Sequence, residues 1–177
     1  MLYLCAQIRR NCALKLTEEI YFRMLEKTLV LLKPCTFERG LIGEIINRFE
    51  KKGLRIAGMK MLQLDDEILA EHYAHLVGKP FFGILKDSMM RTPVVAMCLE
   101  GVDAISVVRT ITGSTNGRNA DPGTIRGDYC MSNQQNIVHA SDSSESAQAE
   151  LKRFFRPEEI FDLGNLNMPR LYALDEA

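Results

Sequence analysis

The run Asn136-Ile137-Val138-His139-Ala140-Ser141-Asp142-Ser143 places one histidine between a short apolar stretch and a hydroxyl-rich, acid-bearing helix start. An imidazole is partly neutral near pH 7 and can act there as a nucleophile or a proton carrier. Ile137 and Val138 predict a strand, and alternation puts Ile137 and His139 on one face, with the histidine at the strand's edge. Asp142 or Ser143 can cap a helix from Ser144 to about Phe155, with Glu145 in its first turn. Along it Ala147, Leu151 and Phe154 form an apolar stripe, and Glu150 falls inside that stripe. A buried carboxylate needs a hydroxyl, an imidazole or a cation, or it is forced to protonate. His139 and Ser141 are the nearest candidates. For an isolated pair the ordinary reading is a satisfied core histidine and a snorkelling glutamate; the remainder of the chain decides between the two.

Those residues need a scaffold. Thr28 to Leu32 reads as a buried strand stopped by Pro34. Ile42, Ile45, Ile46 and Phe49 make a helical stripe that Gly53 ends. Leu54 to Leu64 is extended, and Asp65 caps a helix on which Leu69, His72, Tyr73 and Leu76 share a face. Pro80 opens a further helical segment through Phe81 and Leu85 to about Met90. Pro93 to Leu99 is a strand and Val102 to Ile111 a helix. Thr112 to Gln135, dense in Gly, Asn, Ser, Thr and Pro, reads as a long irregular segment, which inside a compact domain is more often functional than idle. The order strand, helix, strand, strand, helix, strand is that of the α+β ferredoxin-like sandwich, a four-stranded antiparallel sheet, here with an added helix pair between the second and third strands.

The 177 residues suffice for one compact domain with a full core. Hydrophobic content of 46% with 25% charged residues is ordinary for a globular chain, and no apolar run approaches the ~20 residues of a membrane span. A net charge of −1 argues against nucleic acid or an acidic membrane as the main partner. Five widely spaced cysteines without a Cys-x-x-Cys fit free thiols in a reducing cytoplasm better than disulfides or zinc. No Gly-x-x-x-x-Gly-Lys-Ser/Thr is present, so a phosphate ligand is not held by a P-loop.

The segment around His139 resembles the active-site pattern of nucleoside diphosphate kinases, Asn-x-x-His-Gly/Ala-Ser-Asp-Ser/Ala. Glu26-Lys27-Thr28 through Leu32-Lys33-Pro34, Arg39 to Ile45, Glu71-His72-Tyr73, Lys79-Pro80-Phe81-Phe82, Pro93 to Met97 and Pro122 to Asp128 resemble further segments of that family in the same order. The likeness runs from about Leu25 to Phe161. It implies ping-pong transfer of the terminal phosphoryl group of a nucleoside triphosphate to a nucleoside diphosphate through a phosphohistidine at His139. Ser141 and Glu150 would orient the imidazole, and Tyr73 would stand on the phosphate side. Lys33, Arg109, Thr115 and Arg126 match phosphate-binding positions. Phe81 would stack on the base with Leu85 and Asn133 flanking it, while Asn136 and Lys33 meet the sugar. Mg²⁺ would bridge the nucleotide's phosphates rather than occupy an all-protein cage.

The resemblance also implies a cytoplasmic homo-oligomer, a hexamer with a tetramer as alternative. It makes residues 24–177 the kinase domain and 1–23 an extension, or upstream sequence read from a wrongly chosen start. Cys35-Thr36 stands where the family has Asp-Gly, Lys79 where many members have Arg, and Asn116-Gly117 where it has Asn-Pro, a change expected to free the backbone. Two other readings use the same scaffold: a non-catalytic nucleotide- or RNA-binding module, and a relay passing phosphate to a histidine of another protein. The first lacks the aromatic strand pattern of RNA-binding sheets.

Overall fold

The computed structural model describes residues 25–164 and 168–173. The extension expected over residues 1–23 lies outside the described residues, as do Cys5 and Cys12. Four strands, β1 (Leu25–Leu32), β2 (Arg55–Leu62), β3 (Val94–Val102) and β4 (Val138–Ala140), form one sheet in the order β2-β3-β1-β4. Every pairing is antiparallel, with Val30 opposite Met97 on one side and Ala140 on the other. Each of the two βαβ units is therefore split by a strand of the other, the ferredoxin-like arrangement that the element order predicts.

Alternation in β1 explains why its run is continuously apolar. Val30 and Leu32 face a core with Ile45, Phe49 and Val108, while Leu29 and Leu31 face a second core with Leu69, Met89, Leu151 and Phe154. The first is roofed by α2 (Ile42–Lys52) and α5 (Ala104–Thr112), the second by α3 (Asp66–His72), α4 (Phe82–Met90) and α7 (Ser144–Phe154). A strand buried on both faces has no polar side to show, so it reads as an unbroken hydrophobic run. The added pair α3 and α4 is thus what closes the second face.

Local signals behave as their chemistry dictates. Gly53 ends α2 at φ 100°, and the Asp65 carboxylate accepts from Ile68 N at 2.9 Å to cap α3. Elsewhere the structure differs from the sequence reading. Pro34 does not merely stop β1; it opens α1 (Pro34–Glu38), because proline at the first helical position gives up no hydrogen bond. β3 continues past Leu99 to Val102, and buried Glu100 pairs there with Arg55 and, at 3.4 Å, with Lys27. An ion pair inside a strand has no periodic signature. The segment expected to be irregular holds α6 (Ile125–Tyr129), capped by Thr124, whose Oγ1 accepts from Gly127 N. Near the end of the chain α8 (Met168–Leu171) brings Leu171 over Gly53, and Tyr172 Oη accepts from Val102 N.

Candidate active site

β4 carries His139 into the middle of the molecule, but not as alternation predicts. Ile137 is not in the strand: its φ is 69°, and Val138 N donates to Asn136 O at 2.7 Å across it, closing a three-residue turn. This conformation costs a β-branched residue about 1–3 kcal/mol. It turns Ile137 into the α2/α5 core beside Val138 and Ala140, so His139 faces the opposite core alone. Surrounding bonds hold the turn. The Ile137 carbonyl accepts from Lys33 N at 2.8 Å and Thr36 Oγ1 at 2.7 Å. Arg126 brackets it, donating from Nε to Asn136 O and from Nη2 to Val138 O, with Nη1 on Gly113 O.

His139 Nε2 lies 3.0 Å from Glu150 Oε1, and Ser141 Oγ donates to Glu150 Oε2 at 2.6 Å. Ser143 caps α7 through Ser146 N, which sets the helix phase that aims Glu150 at the imidazole. Burial works to raise the Glu150 carboxyl, but the bonds from His139 and Ser141 outweigh it and hold the group below its ordinary range. It is therefore ionised and acceptor-only. An imidazole that gives its Nε2 proton to a carboxylate keeps its lone pair on Nδ1.

Around His139 opens a cavity of about 840 Å³. Its walls include Lys33, from the end of β1, Arg109, from the last turn of α5, and Thr115 and Arg126, from the long connection. Phe81 and Leu85 come from the start of α4, Asn133 from the stretch before β4, and Tyr73 from the end of α3. Asn136 joins these walls, giving Lys33 Nζ an acceptor at 2.6 Å and donating to Thr115 O at 3.1 Å. Burial, then the nearby Arg126 charge, lowers Lys33 to about 8. Phe81 is 41% exposed, a large ring left open at the mouth. Of the residues singled out in the sequence, Ser141 alone is not on the wall; it stands behind Glu150.

Two neighbours of the imidazole were not singled out. His72 packs edge-on against His139, with centroids 4.5 Å apart, and burial followed by the His139 charge pushes it down to about 3, so it is neutral. Arg153 sits with Nη1 3.4 Å from His72 Nδ1 and Nε 2.8 Å from Glu71. His72 had a signal, its place beside Tyr73 on one helical face, but that face reads as core. The Gly117 reading also changes. A Cβ there would lie 2.3 Å from both Cys130 Cβ and Cys130 O, so the glycine is required by close approach and does not loosen the loop. Cys35, Cys98 and Cys130 are free and buried.

A cavity with a carboxylate-held imidazole, buried cations and an open aromatic ring is suited to phosphoryl transfer on nucleotides, and known proteins agree. The family model described as "Nucleoside diphosphate kinase" matches residues 26–160. The chain belongs to the nucleoside diphosphate kinase family. A relative of that name from Parabacteroides distasonis is 69% identical over 152 residues, covering 86% of this chain and 99% of its own. Another, from Rhodopirellula baltica, is 50% identical over 152 residues, covering 86% and 100%. Among solved structures, the nucleoside diphosphate kinase of Halobacterium salinarum in complex with CDP superposes with TM-score 0.81 at 40% identity, covering 84% of this chain and 99% of that one. The enzyme is a nucleotide phosphotransferase. Among the described residues no helix is long and apolar enough to cross a membrane.

Proposed function

We propose that this kinase runs its transfer through Nδ1 of His139. The observation that carries the reading is the 3.0 Å contact of His139 Nε2 with Glu150, which favours the tautomer with the proton on Nε2 and the lone pair on Nδ1. The Nδ1 lone pair attacks the terminal phosphorus, the bond from that phosphorus to the bridging oxygen breaks, and the nucleoside diphosphate leaves with the electron pair. A second diphosphate then attacks the phosphohistidine with its terminal oxygen and restores Nδ1. As the ring gains positive charge, Glu150 balances it, and Ser141 keeps Glu150 in place.

Lys33, Arg109, Thr115 and Arg126 hold the phosphates. Arg126 uses one proton each of Nε, Nη1 and Nη2 on backbone carbonyls, and each terminal nitrogen retains a second. Tyr73 closes the phosphate side, and Lys33 and Asn136 meet the sugar. Phe81 stacks on the base with Leu85 and Asn133 beside it; stacking tolerates every base because each has a π face. The chain's carboxylate on this wall nearest the imidazole is already engaged by His139 and Ser141, so Mg²⁺ would be held through phosphate oxygens, among the same cations. When bound it neutralises charge on those oxygens.

The enzyme works as a cytoplasmic homo-oligomer, a hexamer, with a tetramer as the alternative. β2 is an edge strand with Met59 53% and Met61 61% exposed, a surface that needs cover. Light scattering checks this, and a monomer would refute both assemblies.

The test of function incubates the parent enzyme and His139→Asn with terminally labelled ATP and Mg²⁺, then adds GDP. Acid-labile, base-stable label is expected on the parent alone and moves to GTP. Labelling of the variant, or turnover by it, would remove His139 from the mechanism.

A further inference from the structure

We propose that His72, His139 and Glu150 form a binding site for a zinc-class divalent cation, and that filling it switches the nucleophile off. The donor atoms of the three residues lie within 4.8 Å of one another. Glu150 Oε1 is 3.0 Å from His139 Nε2 and 3.7 Å from His72 Nδ1, so a small ion placed among them reaches all three with modest side-chain movement. Two imidazole nitrogens and one carboxylate oxygen are a donor set for a borderline ion such as Zn²⁺. Mg²⁺, which takes oxygen ligands, is poorly served by it.

His72 offers the cluster one of its two nitrogens. It is 7% exposed, yet its Nε2 has no hydrogen-bond partner among the described residues. The other nitrogen, Nδ1, is turned into the cluster, with Arg153 Nη1 at a long 3.4 Å. The cluster also opens onto the cavity, which leaves a fourth position for an exogenous ligand.

The cations on the same wall oppose a dication. Lys33, Arg109 and Arg126 favour an anion as the fourth ligand, either hydroxide or inorganic phosphate. Arg153 must turn away from His72, and its contact with the exposed Glu71 at 2.8 Å offers a place outside the cluster.

The consequence rests on the reading that Nδ1 is the nucleophile. A neutral imidazole carries one proton. When Nε2 is bound to the ion, that proton must sit on Nδ1, and the lone pair that would attack phosphorus is gone. No electron is transferred and no proton is lost from the ring; the proton Nε2 held toward Glu150 reappears on Nδ1.

The experiment uses the full chain, freed of metal, with Co²⁺ or Zn²⁺ alone. Equilibrium dialysis is expected to give one ion per chain, with visible Co²⁺ bands of low coordination number. Both are lost in His72→Gln and in His139→Asn; the latter, at a partly exposed position, serves if the buried variant fails to fold. Absence of binding to the parent protein, or equal binding to a folded variant, overturns the site. In a second arm, Zn²⁺ added before labelled ATP and Mg²⁺ suppresses phosphoenzyme formation, and a zinc-selective chelator restores it. Stoichiometric metal with undiminished labelling overturns the switch. A parent enzyme that never labels, with or without zinc, overturns the nucleophile assignment instead and leaves the dialysis result standing.

Discussion

Replacing Glu150 by glutamine keeps the shape of the side chain and removes its charge. In the structure the carboxylate accepts from His139 Nε2 at 3.0 Å and from Ser141 Oγ at 2.6 Å, in a largely dehydrated position. A hydrogen bond to a charged group is worth about 1.5–3 kcal/mol, against about 0.5–1.5 kcal/mol between neutral groups. The amide oxygen of the Glu150→Gln side chain can still accept from Nε2, so the difference per bond is about 1–2 kcal/mol. The Ser141 bond is the same before and during reaction, so its share falls on stability. The His139 bond strengthens as the ring becomes cationic, so its share falls on the barrier. That predicts a phosphoenzyme formation rate about 5- to 30-fold lower, with little change in KM. Single-turnover rapid quench with labelled ATP at saturating Mg²⁺ measures it. A rate within about twofold of the parent, or a loss confined to KM, would refute the argument that Glu150 acts on the developing charge.

Lys33 is charged below about 8 and neutral above, so the affinity of the free enzyme for ADP should be highest below that value and fall about fivefold between pH 8 and 9. Calorimetric titration across that range checks this, and Lys33→Met should lack the step. Arg109 is exposed on α5 while Arg126 ties three backbone carbonyls together, so Arg109→Ala should cost about 2–4 kcal/mol in kcat/KM at an unchanged Tm. Arg126→Ala should lower both, and calorimetry beside steady-state kinetics separates the two. Gly117→Ala should destabilise the fold by about 1–3 kcal/mol because Cys130 O stands where the new Cβ would go. Since the obstacle is backbone, combining it with Cys130→Ala should not restore the thermal midpoint, and restoration would show that only the thiol was in the way.

Much of this enzyme is legible in the order of its residues. The run in β1 announces a strand buried on both sides, the caps Asp65 and Ser143 and the terminator Gly53 are local chemistry, and Glu150 betrays itself by sitting in an apolar stripe. Such features are visible because their causes lie within one or two helical turns of the residue concerned. His139, proposed as the nucleophile, stands within hydrogen-bond reach of Glu150, and Glu150 of Ser141, as their sequence positions suggest, and Lys33, Arg109 and Arg126 line the same cavity.

What tertiary structure alone decided are the properties set by contacts between segments. The left-handed Ile137 is one: nothing near it in sequence favours that conformation, and it persists because Lys33, Thr36 and Arg126 satisfy the carbonyls it displaces. Gly117 is another, needed because Cys130 presses on it from a separate turn. The placement of His72 against His139 is a third, made by the packing of α3 on β4 and α7, and it gives the site its second imidazole. Periodicity reports how a segment meets its own neighbours along the chain; which buried group meets which, and at what distance, is fixed only when the segments pack.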